Sequence, residues 1–150
     1  MSQKIKQFQT FLNQSIPLTK DMGLQLNEFT GSTLKLTAPL LNNINDKGSV
    51  FGGSSSALMI IAAWSLIKLN CDDHGIDADI VIHKNETLWT KPLYSDLILD
   101  AEFDEKYDFN QISQILKSKR HQKINCQISL KDVDGNNFST MKAKYVIIPK

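Results

Sequence analysis

Apolar and polar positions alternate along this chain with two different periods, and the switches between them outline the elements. Ile5, Phe8 and Leu12 recur at helical spacing and predict an N-terminal helix over about residues 2–14, ending before Pro17. Leu24 to Thr30 and Leu34 to Ala38 read as two strands joined by a tight turn at Thr30-Gly31-Ser32. An Asn-rich loop follows from Pro39 to Val50. Gly52-Gly53 and the serines Ser54, Ser55 and Ser56 then signal a helix start, because hydroxyls accept hydrogen bonds from the free amides there. This helix is expected over about residues 53–70, with Gly75 as its stop. Ala57, Leu58, Met59, Ile60, Ile61, Ala62, Ala63, Trp64, Leu66 and Ile67 cover nearly every face of it. A helix about 25 Å long and apolar all round must be wrapped by other elements.

The wrapping is written downstream. Ile80 to Leu88 reads as a long strand, and Leu97, Leu99, Ala101 and Phe103 alternate with Ile98, Asp100, Glu102 and Asp104. Phe109, Ile112, Ile115 and Leu116 predict a short amphipathic helix. Ile124, Cys126, Ile128 and Leu130 alternate with polar residues, and Asp134-Gly135 is expected to form a hairpin turn into Phe138–Ile148. Strands outnumber helices and follow one another as hairpins, so the expected class is α+β with a curved antiparallel sheet. Residues 1–150 form one domain on this reading. A sheet curled around one apolar helix is the hotdog arrangement; its edges and open side imply a homodimer or higher homo-oligomer.

Composition narrows the partners. The 150 residues carry 17 Lys and Arg against 16 Asp and Glu, a net charge of +1, which gives no reason to expect nucleic acid or an anionic membrane. Arg120 is the single arginine, so bidentate anion forks are scarce. The two cysteines, Cys71 and Cys126, lie far apart with no CxxC spacing, which argues against disulfides and cysteine metal sites. The apolar run Ala57–Ile67 is shorter than the roughly 20 residues a bilayer needs. With no apolar signal-peptide region near Met1, a cytoplasmic, reducing setting is expected.

The chemistry concentrates in Asn42–Ser54, a polar loop running into two glycines at a helix start. Glycine lets a ligand approach the backbone, and a helix N-terminus offers unpaired amides and partial positive charge. These are the parts of an oxyanion hole, suited to a thioester carbonyl. Ordinary helix capping would use the same residues.

Asn45-x-x-Gly48-x-x-Phe51-Gly52-Gly53 resembles the Asn-x-x-Gly-x-x-His-Gly-Gly signature of small hotdog thioesterases. With Ser54 and Trp64, and with Asp79-Ile-Val-Ile82, Glu86, Trp89 and Lys91-Pro92 on the next strand, the chain is similar over about residues 20–149 to thioesterases of the YiiD C-terminal type. The resemblance implies an enzyme acting on acyl thioesters of acyl carrier protein or CoA, with no cofactor and no metal. It implies that the Gly53 amide grips the thioester oxygen, that Asn45 places a side-chain amide over the acyl group, and that Glu86, on a strand that would face a dimer partner's helix, is an acid or base. Phe51, Gly52, Ser54 and Trp89 would line the substrate site.

Two positions depart from the pattern. Phe51 replaces the signature His, and Ile60 occupies the place where many hotdog hydrolases carry a carboxylate. No Asp or Glu occurs between Gly52 and Cys71, so the usual base for activating water is missing. Some relatives are associated with malonyl–acyl carrier protein decarboxylation, which needs no activated water and gives an acetyl primer for fatty acid synthesis. A non-catalytic acyl-thioester binding module is the remaining alternative.

Other motifs carry less. Gly48–Ser55 approaches a phosphate-binding loop but has Ser54 where the lysine belongs, and Gly53–Ala57 imitates a nucleophile elbow without its last glycine. His74, His83 and His121 lack metal-ligand spacing. Lys117, Lys119, Arg120 and Lys123 form a basic cluster, either solvated surface or a dock for the phosphates of a carrier arm or CoA.

Overall fold

A computed structural model describes residues 2–150. In chain order the elements are α1 (Gln3–Ser15), α2 (Leu18–Asp21), β1 (Gln25–Phe29), β2 (Thr33–Ala38), a 3-10 turn (Leu40–Asn43), α3 (Gly52–Asp73), β3 (Ala78–Trp89), β4 (Leu97–Phe103), α4 (Phe109–Lys117), β5 (Gln122–Lys131) and β6 (Asn137–Pro149). Every predicted element is present. The α2 turn and the 3-10 turn are additions too short to show a period. The β5–β6 connection is longer than a two-residue hairpin. Lys131 pairs with Asn137, and Asp132 Oδ1 accepts from the amides of Asp134 and Asn136 across the loop.

The six strands form one antiparallel sheet in the order β1-β2-β4-β5-β6-β3. Leu34, Leu36, Leu97, Leu99, Ile124, Cys126, Ile128, Met141, Tyr145 and Ile147 line its concave face, all buried. α3 lies in that concavity against β2 through β6. By length and hydropathy α3 could cross a membrane, yet twelve of its residues are buried under the sheet and neighbouring helices. This is the hotdog arrangement expected from the sequence.

The wrap is incomplete. Ala57, Ile60, Trp64 and Lys68 form a half-buried stripe on the open side of α3. α1 covers its C-terminal part, where the Phe11 and Trp64 rings stack 6.2 Å apart. Trp64 Nε1 donates to the Ile80 carbonyl at 3.0 Å, tying α3 to β3. Tyr145 Oη donates to the Ile60 carbonyl at 2.6 Å, and burial of that phenol raises its pKa.

β3 carries a bulge between Ile82 and Lys84. Before it Ile82 lies opposite the buried Tyr145; after it Asn85, Thr87 and Trp89 lie opposite Ala143, Met141 and Ser139. Even-numbered residues therefore face the helix before the bulge and odd-numbered ones after it, because directly paired residues share a face. β3 is also an edge, hydrogen-bonded only to β6.

Candidate active site

The loop before α3 is held at both ends. Asn42 Nδ2 donates to the Asp21 carbonyl at 3.0 Å, and Asn43 Nδ2 donates to the carbonyls of Met22 and Pro39 at 2.9 and 2.8 Å. The Val50 amide donates to the Leu93 carbonyl at 2.9 Å and the Phe51 amide to the Asn43 carbonyl at 2.8 Å. Within these anchors Asn45 to Ser49 form a compact turn. Gly48 takes φ +82°, a conformation suited to glycine. Asn45 Oδ1 accepts from the amides of Lys47 and Ser49 at 2.9 and 3.1 Å, while Nδ2 donates to Ser49 Oγ at 3.0 Å. The Asn-x-x-Gly spacing is thus the chemistry of a turn, with Asn45 bracing it. One Nδ2 hydrogen remains for a ligand.

At the start of α3 the structure corrects the serine-capping expectation. The N-cap is Phe51, which makes no side-chain cap bond, and Ser54, Ser55 and Ser56 lie inside the helix. Ser55 turns its hydroxyl backwards: Oγ donates to the Gly52 carbonyl at 3.0 Å and accepts from Trp89 Nε1 at 3.1 Å. The first intrahelical bond runs from the Ser55 amide to the Phe51 carbonyl at 3.1 Å. Among the described residues no group accepts from the amides of Gly52, Gly53 or Ser54, so three donors stay free at the positive end of a 22-residue helix.

A side chain at Gly53 would require the Phe51 ring to move, whereas one at Gly52 would meet only ordinary contact with Trp89. A Cβ at Gly53 would stand 2.4 Å from the Phe51 ring, and one at Gly52 would stand 3.4 Å from the Trp89 indole. The amide cluster sits between two aromatic side chains, each 55% exposed. Beside it opens a cleft of about 370 Å³, lined by Asn45, Ser49, Gly52, Ser55, Trp89 and Lys91 among others. No carboxylate is among its lining residues.

The structure sets Asn45, Gly52 and Trp89 around this cleft, with Phe51, Gly53 and Ser54 at the adjoining helix start. Glu86 is not among them. It lies opposite Lys142 on the outer face of the sheet, because the β3 bulge reverses which residues face α3. Asn85, with its Oδ1 accepting from Thr87 Oγ1 at 2.8 Å, takes the helix-facing position instead. Ser55, 1% exposed, is the site residue that sequence reasoning missed as an individual; only the serine run pointed toward it. The cysteines supply no nucleophile, since burial pushes the Cys71 and Cys126 thiols up to about 12. No group of His, Cys, Asp and Glu able to hold a metal ion occurs among the described residues.

The sequence matches the family described as "Putative thioesterase (yiiD_Cterm)" over residues 5–149. The chain belongs to this family. Solved structures share its fold. A protein described as a putative thioesterase from Shewanella oneidensis is 22% identical, with TM-score 0.87, covering 99% of this chain and 100% of that one. A protein of unknown function from Chlorobaculum tepidum is 22% identical, with TM-score 0.86 and coverage of 97% and 94%. A thioesterase from Haemophilus influenzae is 12% identical, with TM-score 0.78 and coverage of 99% and 93%. This member of the YiiD C-terminal family carries Phe51 before the two glycines and an uncapped central helix.

Proposed function

We propose that the protein binds acyl thioesters at the amides of Gly52, Gly53 and Ser54 and decarboxylates malonyl thioesters to acetyl thioesters. The observation that carries the reading is the uncapped helix: three amides without acceptors begin α3 beside a cleft whose lining includes Gly52 and no carboxylate. The C–C bond to the malonyl carboxylate breaks and releases CO2. Its electron pair passes into the thioester, and the enolate oxygen is held by the free amides. A proton from solvent then completes the acetyl carbon. The spare Asn45 amide hydrogen turns the leaving carboxylate out of the thioester plane, and the aromatic walls of Phe51 and Trp89 favour loss of its charge.

Hydrolysis of the same thioesters is the second reading, supported by family membership. It requires a base for water, and within one chain neither α3 after its start nor the outward Glu86 provides one to the amide cluster, so a second copy would have to bring its β3 carboxylate there. A second copy completes the site in either case. The free edge of β3 exposes Val81, Ile82, Leu88 and Trp89, and Phe51 and Ile44 are exposed beside the helix start. Antiparallel pairing of two β3 edges would satisfy the unpaired strand and close this side of the cleft.

Mass spectrometry of malonyl and acyl thioesters on acyl carrier protein and on CoA tests the proposal. Accumulation of acetyl thioester from malonyl thioester supports decarboxylation. Release of free thiol without acetyl thioester replaces it by hydrolysis, and tight binding without turnover leaves an acyl-binding module.

A further inference from the structure

A net charge of +1 hides a strong segregation of charge on the outer face of the sheet. Over β1, β2 and β4 that face carries Glu28, Asp100 and Glu102, with Lys35 and the β5 residue Lys131 both paired to Asp100. Over β5, β6 and β3 it carries Lys123, Lys142, Lys144 and Lys84, and none of these four makes an ion pair among the described residues. Glu86 and Asp79 are the acids of this second half.

In this half the register sets Glu86 opposite Lys142 but leaves two other lysines facing each other. Lys84 lies directly opposite Lys144, and Lys142 is two residues along the same strand from Lys144. Directly opposed side chains sit about 5 Å apart at Cβ, where like charges destabilise a sheet. The row Val81–Val146–Lys123 adds a further cation across β6. The lysines thus spread over about 10 Å across the strands and about 13 Å along them. That is wider than one diphosphate, and with a single arginine in the chain it is built of point charges rather than forks.

We propose that this face is the docking surface for an acidic carrier protein that presents the acyl thioester on its flexible arm. The inference rests on the thioester reading above and selects the carrier over CoA as the delivered form. Lys84 is five residues from Trp89 on β3, about 16 Å along the strand, so a protein seated on the lysines stands within an arm's reach of the free amides. Complementary charge steers such an encounter and fixes its orientation.

The experiment compares kcat/KM for one malonyl group carried on acyl carrier protein and on CoA, in the wild type and in the double variant Lys84→Glu, Lys144→Glu. The expected result is a loss of about tenfold or more on the carrier-linked substrate, with the CoA-linked one changed by less than about twofold. The difference shrinks as salt is raised from about 0.05 to 0.5 M. Lys35→Glu, on the acidic half, moves neither. Equal losses on both substrates, no loss on either, or an altered oligomeric state overturns the proposal. Should the wild type turn over neither substrate, the thioester reading fails separately. Titration with holo-carrier then decides the surface: binding abolished by the double variant supports it, and binding retained, or carrier displaced by any RNA of equal charge, overturns it.

Discussion

The two ends of α3 are built on opposite principles. At the C-terminal end the carbonyls of Asn70, Cys71 and Asp72 all accept hydrogen bonds from the residues that follow. The His74 amide donates to the carbonyls of Asn70 and Cys71, and the Ile76 amide returns to the Cys71 carbonyl, with Gly75 at φ +64° making the turn. The Asn70 side chain donates to the carbonyls of Leu66 and Gly31, both at 2.9 Å, and so fastens the helix to the β1–β2 turn. At the N-terminal end three amides go unmet although three serines follow the glycines, and the one buried hydroxyl faces a carbonyl and an indole instead. A helix end can be closed for stability or left open for a ligand, and this helix does one at each end.

The comparison is sharpened by breaking each end separately. Gly52→Pro has the largest expected effect. Proline is favoured at the first helical position, and Phe51 at φ −65°, ψ 129° already has a backbone suited to precede it, so the helix is kept while one free amide is lost. Steady-state kinetics should show a fall in kcat of about 100-fold, the scale of one oxyanion donor, with the melting temperature nearly unchanged. Asn45→Asp comes next. It preserves the acceptor that holds the Lys47 and Ser49 amides, and Ser49 Oγ can donate to the new carboxylate where it accepted from Asn45, but the spare N–H is lost and a like charge is added near a malonyl carboxylate. A roughly tenfold to 100-fold rise in KM or fall in kcat, at native stability, is expected.

At the closed end the outcomes should be reversed. Asn70→Ala removes the donor to two carbonyls and is expected to cost about 2 kcal/mol in a denaturant titration, without changing kcat. Gly75→Ala, forced into positive φ, should cost about 1 kcal/mol with the same kinetic silence. The smallest effect is alkaline. Burial, the largest cause, raises the Cys126 thiol from its ordinary 9.0 to about 12 in the folded chain. Below pH 9 both states keep the proton; between 9 and 12 the unfolded chain loses it first, so stability falls as pH rises. Melting curves should show a shallower decline over that window for Cys126→Ala than for the wild type.

The fold was legible because its signals were long: a helix apolar on nearly every face and four strands of period two leave few arrangements. The site's composition was legible because a polar loop running into paired glycines at a helix start is a local signal. Two things were not. The β3 bulge has no mark in Ile82-His83-Lys84, yet it moves Glu86 to the outer face and brings Asn85 and Trp89 toward the helix. The serines after Gly53 carry a capping signal, but Trp89, 34 residues from Ser55, captures the hydroxyl that would have pointed forward. Local propensity could not foresee a partner supplied by tertiary structure.

Replacing the Gly53 peptide N–H by an ester oxygen, through semisynthesis, removes one donor and no side chain. It therefore probes the open helix end more directly than any substitution. Turnover of malonyl thioester should fall about 100-fold while circular dichroism and melting stay those of the wild type. Turnover equal to that of the wild type would contradict the account.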